Sequence, residues 1–203
     1  MRNRTWTVLL AGFALSACIS LLPDAGPGPD IYRLTHAATG SQASETAITL
    51  LLPVVKAPKE LKNNRVALIR NGSAISYAAN ARWAASTPEM LQQLLADALR
   101  HDGALSVIFP GDGVKPNFEV RVILRAFEAQ YDQGFDAAPQ GVVSYRVRLV
   151  DPHTRQLIGE EIFQVKSRSA DIRLGSIVAA IDVAAHEAAR QMAIWVTERS
   201  ANP

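Results

Sequence analysis

The sequence predicts one α+β domain in which an antiparallel or mixed sheet, connected largely by hairpins, packs against two main helices. Several segments alternate apolar and polar residues with period two, which is typical of strands. Turn signals join neighbouring strand segments, and two longer segments place apolar residues at helical spacing. With 203 residues, of which 48% are hydrophobic and 20% charged, the chain can bury one core of useful size.

The first strand candidates are short. Residues 30–34 read DIYRL, and residues 46–55 read TAITLLLPVV, an apolar β-branched run that is typical of a buried strand. The proline in this run predicts that the strand ends near it or lies at a sheet edge. Residues 65–70 and 73–77 flank Asn71-Gly72. Asn-Gly between two strand segments predicts a hairpin, because both residues tolerate positive φ.

Two helices are predicted, with a short strand at 105–109 after the first. Thr87-Pro88-Glu89 opens the first helix, with threonine as N-cap, and Gly103 is its expected stop. The second helix covers about 172–198, and its many alanines allow close approach to a sheet. Its apolar stripe comprises Ile177, Ile181, Ala184, Ala188, Gln191 and Trp195, with Val178, Met192 and Val196 beside it.

The clearest strands lie in the second half of the chain. Residues 118–124 and 145–150 alternate with period two, which predicts one buried face and one wetter face for each strand. The turn residues 151–154 connect the second of these to a strand at 157–166, giving another hairpin. The wetter faces carry Glu119, Arg121, Ile123, Arg125, Arg146, Arg148 and Val150.

The N-terminus has the layout of a signal peptide. Arg2 and Arg4 form a basic region, residues 6–15 are apolar apart from Thr7, and small residues precede Cys18. An uncleaved anchor is the alternative, but the seventeen residues 6–22 would span only about 25 Å of a hydrocarbon core about 30 Å thick. Without the first 17 residues, the remaining chain has 19 basic and 19 acidic side chains and is formally neutral.

The sequence LSAC at residues 15–18 resembles a bacterial lipobox. This resemblance implies cleavage before Cys18 and lipid attachment to it, so the prediction is a signal peptide at 1–17 and a lipidated N-terminus and flexible tether at 18–29. By the sorting rule of enterobacterial lipoproteins, Ile19 implies the outer rather than the inner membrane. The glycines and prolines of the tether prevent helix or strand, and its eleven residues after the cysteine reach roughly 35 Å when extended. The remaining domain covers 30–200.

No constellation of residues predicts catalysis or metal binding. The histidines lie in separate elements without a ligand at i+3 or i+4, and Glu160-Glu161 on a strand would point to opposite faces. No nucleophile has an identifiable base, one cysteine excludes an internal disulfide, and no basic run suggests nucleic acid. We therefore expect a protein that is not an enzyme and needs no cofactor. The four histidines are His36, His101, His153 and His186.

In several pieces the chain resembles the ABC-type transport auxiliary lipoproteins, which include the lipoprotein of paraquat-inducible lipid-transport systems. The pieces are the lipobox, Tyr32-Arg33-Leu34, the apolar strand through Pro53, residues 65–70, residues 81–84 (ARWA) before the Thr87 helix, and residues 118–127 (FEVRVILRAF). In the last piece Ala126 separates the arginine and phenylalanine that the family places together.

The resemblance implies a periplasmic, non-enzymatic subunit that docks onto an MCE-domain protein and its ABC permease and ATPase, systems that move phospholipids or other hydrophobic molecules. Self-assembly into a homo-oligomer around the MCE component follows by the same analogy. Trp83 and Arg82 are the candidate docking residues, although a core tryptophan is the commoner role for Trp83. Two alternatives are a lipid- or ligand-binding lipoprotein, which predicts an apolar pocket, and a periplasmic hydrolase, which predicts a convergent acid, base and nucleophile.

Overall fold

The computed structural model describes residues 28–35, 48–70, 72–101 and 105–203. These contain eight strands, two α-helices and one turn of 3₁₀ helix at Lys59–Leu61. The strands are β1 (Asp30–Tyr32), β2 (Thr49–Leu51), β3 (Arg65–Arg70), β4 (Ala74–Trp83), β5 (Ser106–Ile108), β6 (Phe118–Gln130), β7 (Gln140–Val150) and β8 (Leu157–Arg168). The helices are α1 (Thr87–His101) and α2 (Leu174–Ala201).

All eight strands form one mixed sheet organised around β6. One edge of β6 pairs with β7 along its length, and β7 pairs in turn with β8, both antiparallel. The other edge of β6 is shared, since β2 runs parallel to its first residues and β3 runs parallel to its last. The sheet then continues from β3 through β4 to β1, and from β2 to β5.

Helix α2 packs against one face of the sheet, mainly over β7 and β8, with α1 beside it. Small residues make this contact close. A Cβ built on Gly141 of β7 would lie 2.5 Å from the backbone carbon of Ala180 and 2.5 Å from the backbone nitrogen of Ile181. Ala184 and Ala188 are fully buried along the same helix. Glycine on the strand and alanine on the helix therefore bring the two backbones together.

Large side chains fill the rest of the core. Tyr145 is fully buried on β7 and its ring lies 6.0 Å from that of Phe163, which in turn lies 6.0 Å from Trp195. Burial raises the pKa of the Tyr145 hydroxyl well above its usual value, so it stays neutral. Trp195 is half-buried at the margin of the helix–sheet contact, close to Gly159 of β8.

The predicted α+β fold with a mixed sheet, hairpins and two helices is confirmed. The hairpin at Gly72 forms, and Gly72 has the positive φ of 78° that the turn requires. The strand expected at 46–55 is shorter, because the described backbone after Leu51 joins β6 only through Lys56. Asn71, Gly103 and residues 1–27 lie outside the described residues.

The start of α1 differs by one residue from the prediction. The Ser86 hydroxyl donates to the Glu89 carboxylate over 2.8 Å, and the Ser86 backbone N–H donates to the same oxygen over 3.2 Å. This is half of a capping box, so Ser86 rather than Thr87 caps the helix. Thr87 instead donates its hydroxyl to the carbonyl of Asn63, which ties the helix start to the segment before β3.

Candidate functional site

The three predicted site residues have different surroundings. Cys18, the predicted lipidation site, lies outside the described residues. Trp83 is only 1% exposed, and its ring makes an edge contact with Phe127 at a centroid distance of 5.5 Å. Trp83 is therefore a core residue in this structure. Arg82 is half-buried on the opposite side of β4, where its guanidinium donates to the carbonyl of Ala81 over 2.8 Å.

The face of the sheet away from the helices is the most distinctive surface. Along β6, Val120, Val122 and Leu124 are buried on the helix side. Because strand side chains alternate, Arg121 and Ile123 point to the other side. The register aligns Arg121 with Arg148 of β7, and Arg148 with Glu160 of β8. We call this surface the open sheet face; it comprises Val54, Lys56, Glu119, Arg121, Ile123, Arg146, Arg148, Glu160 and Ile162.

Ion pairs within the open sheet face hold its arginines in place. Glu160 accepts a hydrogen bond from Arg148 and lies 3.8 Å from Nε of Arg146. The hydrogen bond from Arg148 lowers the pKa of Glu160 below its usual value. Arg121 donates to Glu119 over 2.7 Å, and this bond raises the pKa of Arg121. The sequence predicted that Glu160 and Glu161 are solvated and point to opposite faces; the structure shows in addition that Glu160 pairs with Arg148 and Arg146.

Basic groups outnumber acidic ones on this face. Arg121 and Arg148 are direct neighbours across two strands, an arrangement of like charges that destabilises a sheet. Beside them, a cleft of about 370 Å³ lies between the segment after β2 and strands β6 and β7. It is lined by Pro53, Val54, Lys56, Glu119, Arg121, Val122, Ile123 and Arg148. The bonds from Arg121 to Glu119 and from Arg148 to Glu160 offset the repulsion between the two arginines.

A second cleft, of about 460 Å³, lies between the end of β1 and α1. Its apolar lining comes from Leu34, Ala84, Ala85, Met90 and Leu94, and its polar lining includes Arg33, Glu89 and Asp97. A cleft of this size and composition falls within the range of small-molecule sites. The ligand-binding alternative predicted an apolar pocket, whereas this cleft combines apolar and charged side chains.

Thr35, Asp182 and His186 form a hydrogen-bonded cluster that fastens the segment after β1 to α2. The carboxylate of Asp182 accepts from the Thr35 backbone N–H over 2.8 Å and from the Thr35 hydroxyl over 2.7 Å. His186 Nε2 lies 2.9 Å from the Thr35 carbonyl oxygen, to which it donates. Burial opposes ionisation of Asp182, but the bonds from His186 and Thr35 outweigh it and hold the pKa of Asp182 below its usual value.

This cluster contains the residue types of a nucleophilic triad but not its geometry. In a triad the histidine lies between the hydroxyl and the carboxylate and accepts the hydroxyl proton. Here Thr35 donates its hydroxyl proton to Asp182 over 2.7 Å, and Nε2 of His186, which lies 3.0 Å from the same hydroxyl oxygen, donates to the Thr35 carbonyl instead of accepting that proton. The cluster is a structural clamp. In the described part of the chain, no three His, Cys, Asp or Glu side chains converge as metal ligands.

Comparison with known proteins places the chain in a family. The family model of the ABC-type transport auxiliary lipoprotein component matches residues 32–193. The chain belongs to this family. The match begins at Tyr32, the last residue of β1, and ends within α2, so it spans β2 to β8, all of α1 and most of α2 of this ABC-type transport auxiliary lipoprotein. A comparison with curated proteins gives no match.

Solved structures share the fold. A Xanthomonas campestris protein, XCC0632, superposes with a TM-score of 0.76 at 17% identity, over 85% of this chain and 97% of that one. A Chlamydia trachomatis protein, CT253, gives a TM-score of 0.53 at 14% identity, over 77% of this chain and 100% of that one. At these identities the similarity shows only that the auxiliary lipoprotein shares its fold with these two proteins. Among the described residues, neither α1 nor α2 combines the length and the hydropathy of a membrane-spanning helix.

Sequence reasoning missed two parts of the site. The alternating arginines of β6 and β7 predicted wetter faces, but only the strand register brings Arg121, Arg146 and Arg148 together. Asp182 stands four residues before His186, a spacing that places both on one helix face, and this local signal was available. Their partner Thr35 lies 147 residues from Asp182 in sequence, and nothing local identifies it.

Proposed function

We propose that this auxiliary lipoprotein is a membrane-anchored, non-catalytic docking subunit of an MCE-type ABC transport system that moves phospholipids or other hydrophobic molecules across the cell envelope. The family match over residues 32–193 carries the proposal. Its partners are the MCE-domain protein and the ABC permease and ATPase, and the resemblance extends to a homo-oligomer around the MCE component.

The surface chemistry is consistent with an interaction role. The described residues present an open, basic sheet face and a structural clamp in place of a triad. A non-enzymatic subunit needs an exposed recognition surface and no convergent acid, base and nucleophile. The function therefore depends on where the domain is held and on what its surface contacts.

We place the domain on the periplasmic side of the envelope, where lipid attached to Cys18 would anchor it to the membrane. The basic, apolar and small residues of the first 18 positions support it, and Ile19 favours the outer membrane. Residues 19–27 and the described Gly28-Pro29 then form the tether to β1. Two or three acyl chains on one residue hold a protein to a bilayer far more firmly than one chain.

A fractionation experiment tests this placement. The full-length protein is expressed in its native envelope, and inner and outer membranes are separated, with mass spectrometry of the N-terminal peptide. We expect diacylglyceryl and acyl groups on Cys18, recovery with the outer membrane, and loss of the Cys18→Ala variant from the outer membrane. An unmodified Cys18, or a Cys18→Ala variant that remains on the outer membrane, would refute the anchor.

The alternative function is a lipoprotein that itself binds a lipid or small hydrophobic ligand, and the 460 Å³ cleft favours it. Native mass spectrometry of the protein released from membranes tests this alternative. A bound lipid that is lost on replacing Met90 with arginine would support it. The absence of bound lipid in the wild-type protein would leave the docking role as the sole proposal.

A further inference from the structure

The open sheet face mixes basic and aliphatic side chains. We propose that it lies on the anionic phospholipid surface of the membrane to which the chain is tethered. This inference rests on the anchored placement of the proposed function and adds an orientation to it. The helices α1 and α2 then face away from the bilayer, toward the periplasmic partners.

The charges of the face fit a lipid surface. Its basic side chains outnumber its acidic ones, and each Lys or Arg close to an anionic bilayer strengthens binding about fivefold. Arg121 donates to Glu119 and Arg148 donates to Glu160, each through one of the five N–H groups of its guanidinium. Four basic and two acidic side chains leave the face with a net positive charge spread over neighbouring strands, which fits an extended anionic surface. The basic side chains are Lys56, Arg121, Arg146 and Arg148.

Exposed aliphatic side chains stand among these charges. Val54 is 55% exposed, Ile162 is 43% exposed and Ile123 is 36% exposed. On a surface that contacts only water, each leaves apolar area in solvent. At a lipid interface the same groups can enter the boundary between headgroups and acyl chains while the neighbouring arginines contact phosphates. The face thus has both components that interfacial binding uses.

The tether reaches the domain at β1, an edge strand of the same sheet that is separated from β6 by β4 and β3. β1 is the first strand after the tether, and Ile31 of β1 is 64% exposed and in register with Arg82. Arg82 lies on the side of β4 away from the helices, since its sequence neighbours Ala81 and Trp83 are buried in the core. With the lipid on Cys18, a tether of roughly 35 Å at full extension is long enough to let the open sheet face turn toward the bilayer.

A site-specific fluorescence experiment tests the orientation. The lone native cysteine is consumed by the lipid, so a single introduced cysteine accepts an environment-sensitive fluorophore. Full-length lipidated protein carrying Ile162→Cys, on the open sheet face, or Val183→Cys, an exposed position of α2, is reconstituted into vesicles. The vesicles contain the zwitterionic lipid phosphatidylcholine alone or with phosphatidylglycerol. The readouts are emission wavelength and quenching by a water-soluble quencher.

We expect the probe at Ile162 to shift to the blue and resist quenching only in vesicles with phosphatidylglycerol, while the probe at Val183 stays accessible in both. Arg121→Gln with Arg148→Gln should weaken this protection about 25-fold as a partition ratio. The matched control, Arg190→Gln on α2, should not change it. High salt should reverse the effect.

Several results would overturn the inference. They are equal quenching at Ile162 with and without phosphatidylglycerol, equal protection at Ile162 and Val183, or protection at Ile162 that requires an added acidic protein. Mass spectrometry of the same samples reads Cys18 separately, so an unmodified cysteine refutes the anchor. If Cys18 is unmodified, co-sedimentation of the unlipidated protein with the same vesicles tests whether the open sheet face binds anionic lipid without the anchor.

Discussion

A substitution at Gly141 tests the contact between α2 and the sheet, because the atoms nearest to an added Cβ belong to the helix backbone and not to a side chain that could move away. An added Cβ would lie 2.5 Å from the carbonyl carbon of Ala180 and 2.8 Å from its oxygen. Carbon atoms prefer about 3.5–4.0 Å, so the shortfall is about 1 Å against helix backbone. Moving α2 outward by that distance would also loosen the buried contacts of Ala184 and Ala188. We expect Gly141→Ala to cost about 3 kcal/mol, the upper part of the range for overpacking.

Urea unfolding followed by circular dichroism measures this cost, and thermal unfolding should show a Tm lower by roughly 6–12 °C. Gly175→Ala is the matched control, since no atom lies within 4 Å of its added Cβ in the first turn of α2. It should leave stability unchanged or raise it by up to about 1 kcal/mol. A Gly141→Ala variant within about 0.5 kcal/mol of the wild type would refute the close helix–sheet contact.

Three further predictions concern the clamp, the core tryptophan and the open sheet face. Asp182→Asn should cost about 1–3 kcal/mol at neutral pH, since charged hydrogen bonds contribute that much. Folding lowers the pKa of Asp182, so its carboxylate stabilises the fold above about pH 4, and this stabilisation is lost as the pH falls through the folded pKa. The free energy of unfolding in urea should therefore decrease less at acid pH for the variant than for the wild type. Trp83→Ala should cost about 3–5 kcal/mol, but Trp83→Phe much less, because among the described residues the buried Nε1 has no acceptor to lose; equal costs in calorimetry would contradict this. Glu160→Gln should leave stability nearly unchanged yet increase binding to anionic vesicles, because it removes the negative charge that compensates Arg148; unchanged or weaker co-sedimentation would count against the charge balance described above.

Local sequence signals predicted the secondary-structure elements well, because residues close together in the sequence determine them. Residues 119–125 of β6 and 145–149 of β7 alternate between buried and more exposed side chains, so their period-two pattern identifies them. Val150, expected on the wetter face, is buried, and residues 141–145 of β7 are buried on both faces because the sheet packs more tightly there. The Gly72 turn and the alanine-rich helix α2 are likewise decided by nearby residues. For Trp83, the core role that the sequence suggested as the commoner one is the one that the structure has.

The arrangement of the elements was not predictable in the same way. β2 and β3 share one edge of β6 through parallel pairing, which local pattern does not encode. Pairing also decides that Arg121 meets Arg148, and this pair defines the open sheet face. The clamp between Thr35 and Asp182 joins distant segments for the same reason. Contacts between residues far apart in sequence require the assembled fold.

Co-purification from native membranes tests the docking function most directly. The full-length protein is extracted in mild detergent after brief chemical cross-linking, and its partners are quantified by mass spectrometry against the Cys18→Ala variant as the unanchored control. The proposed function predicts an MCE-domain protein together with an ABC permease and ATPase, enriched with the wild type and depleted with the variant. Recovery of lipidated wild-type protein without any component of an ABC system would contradict it.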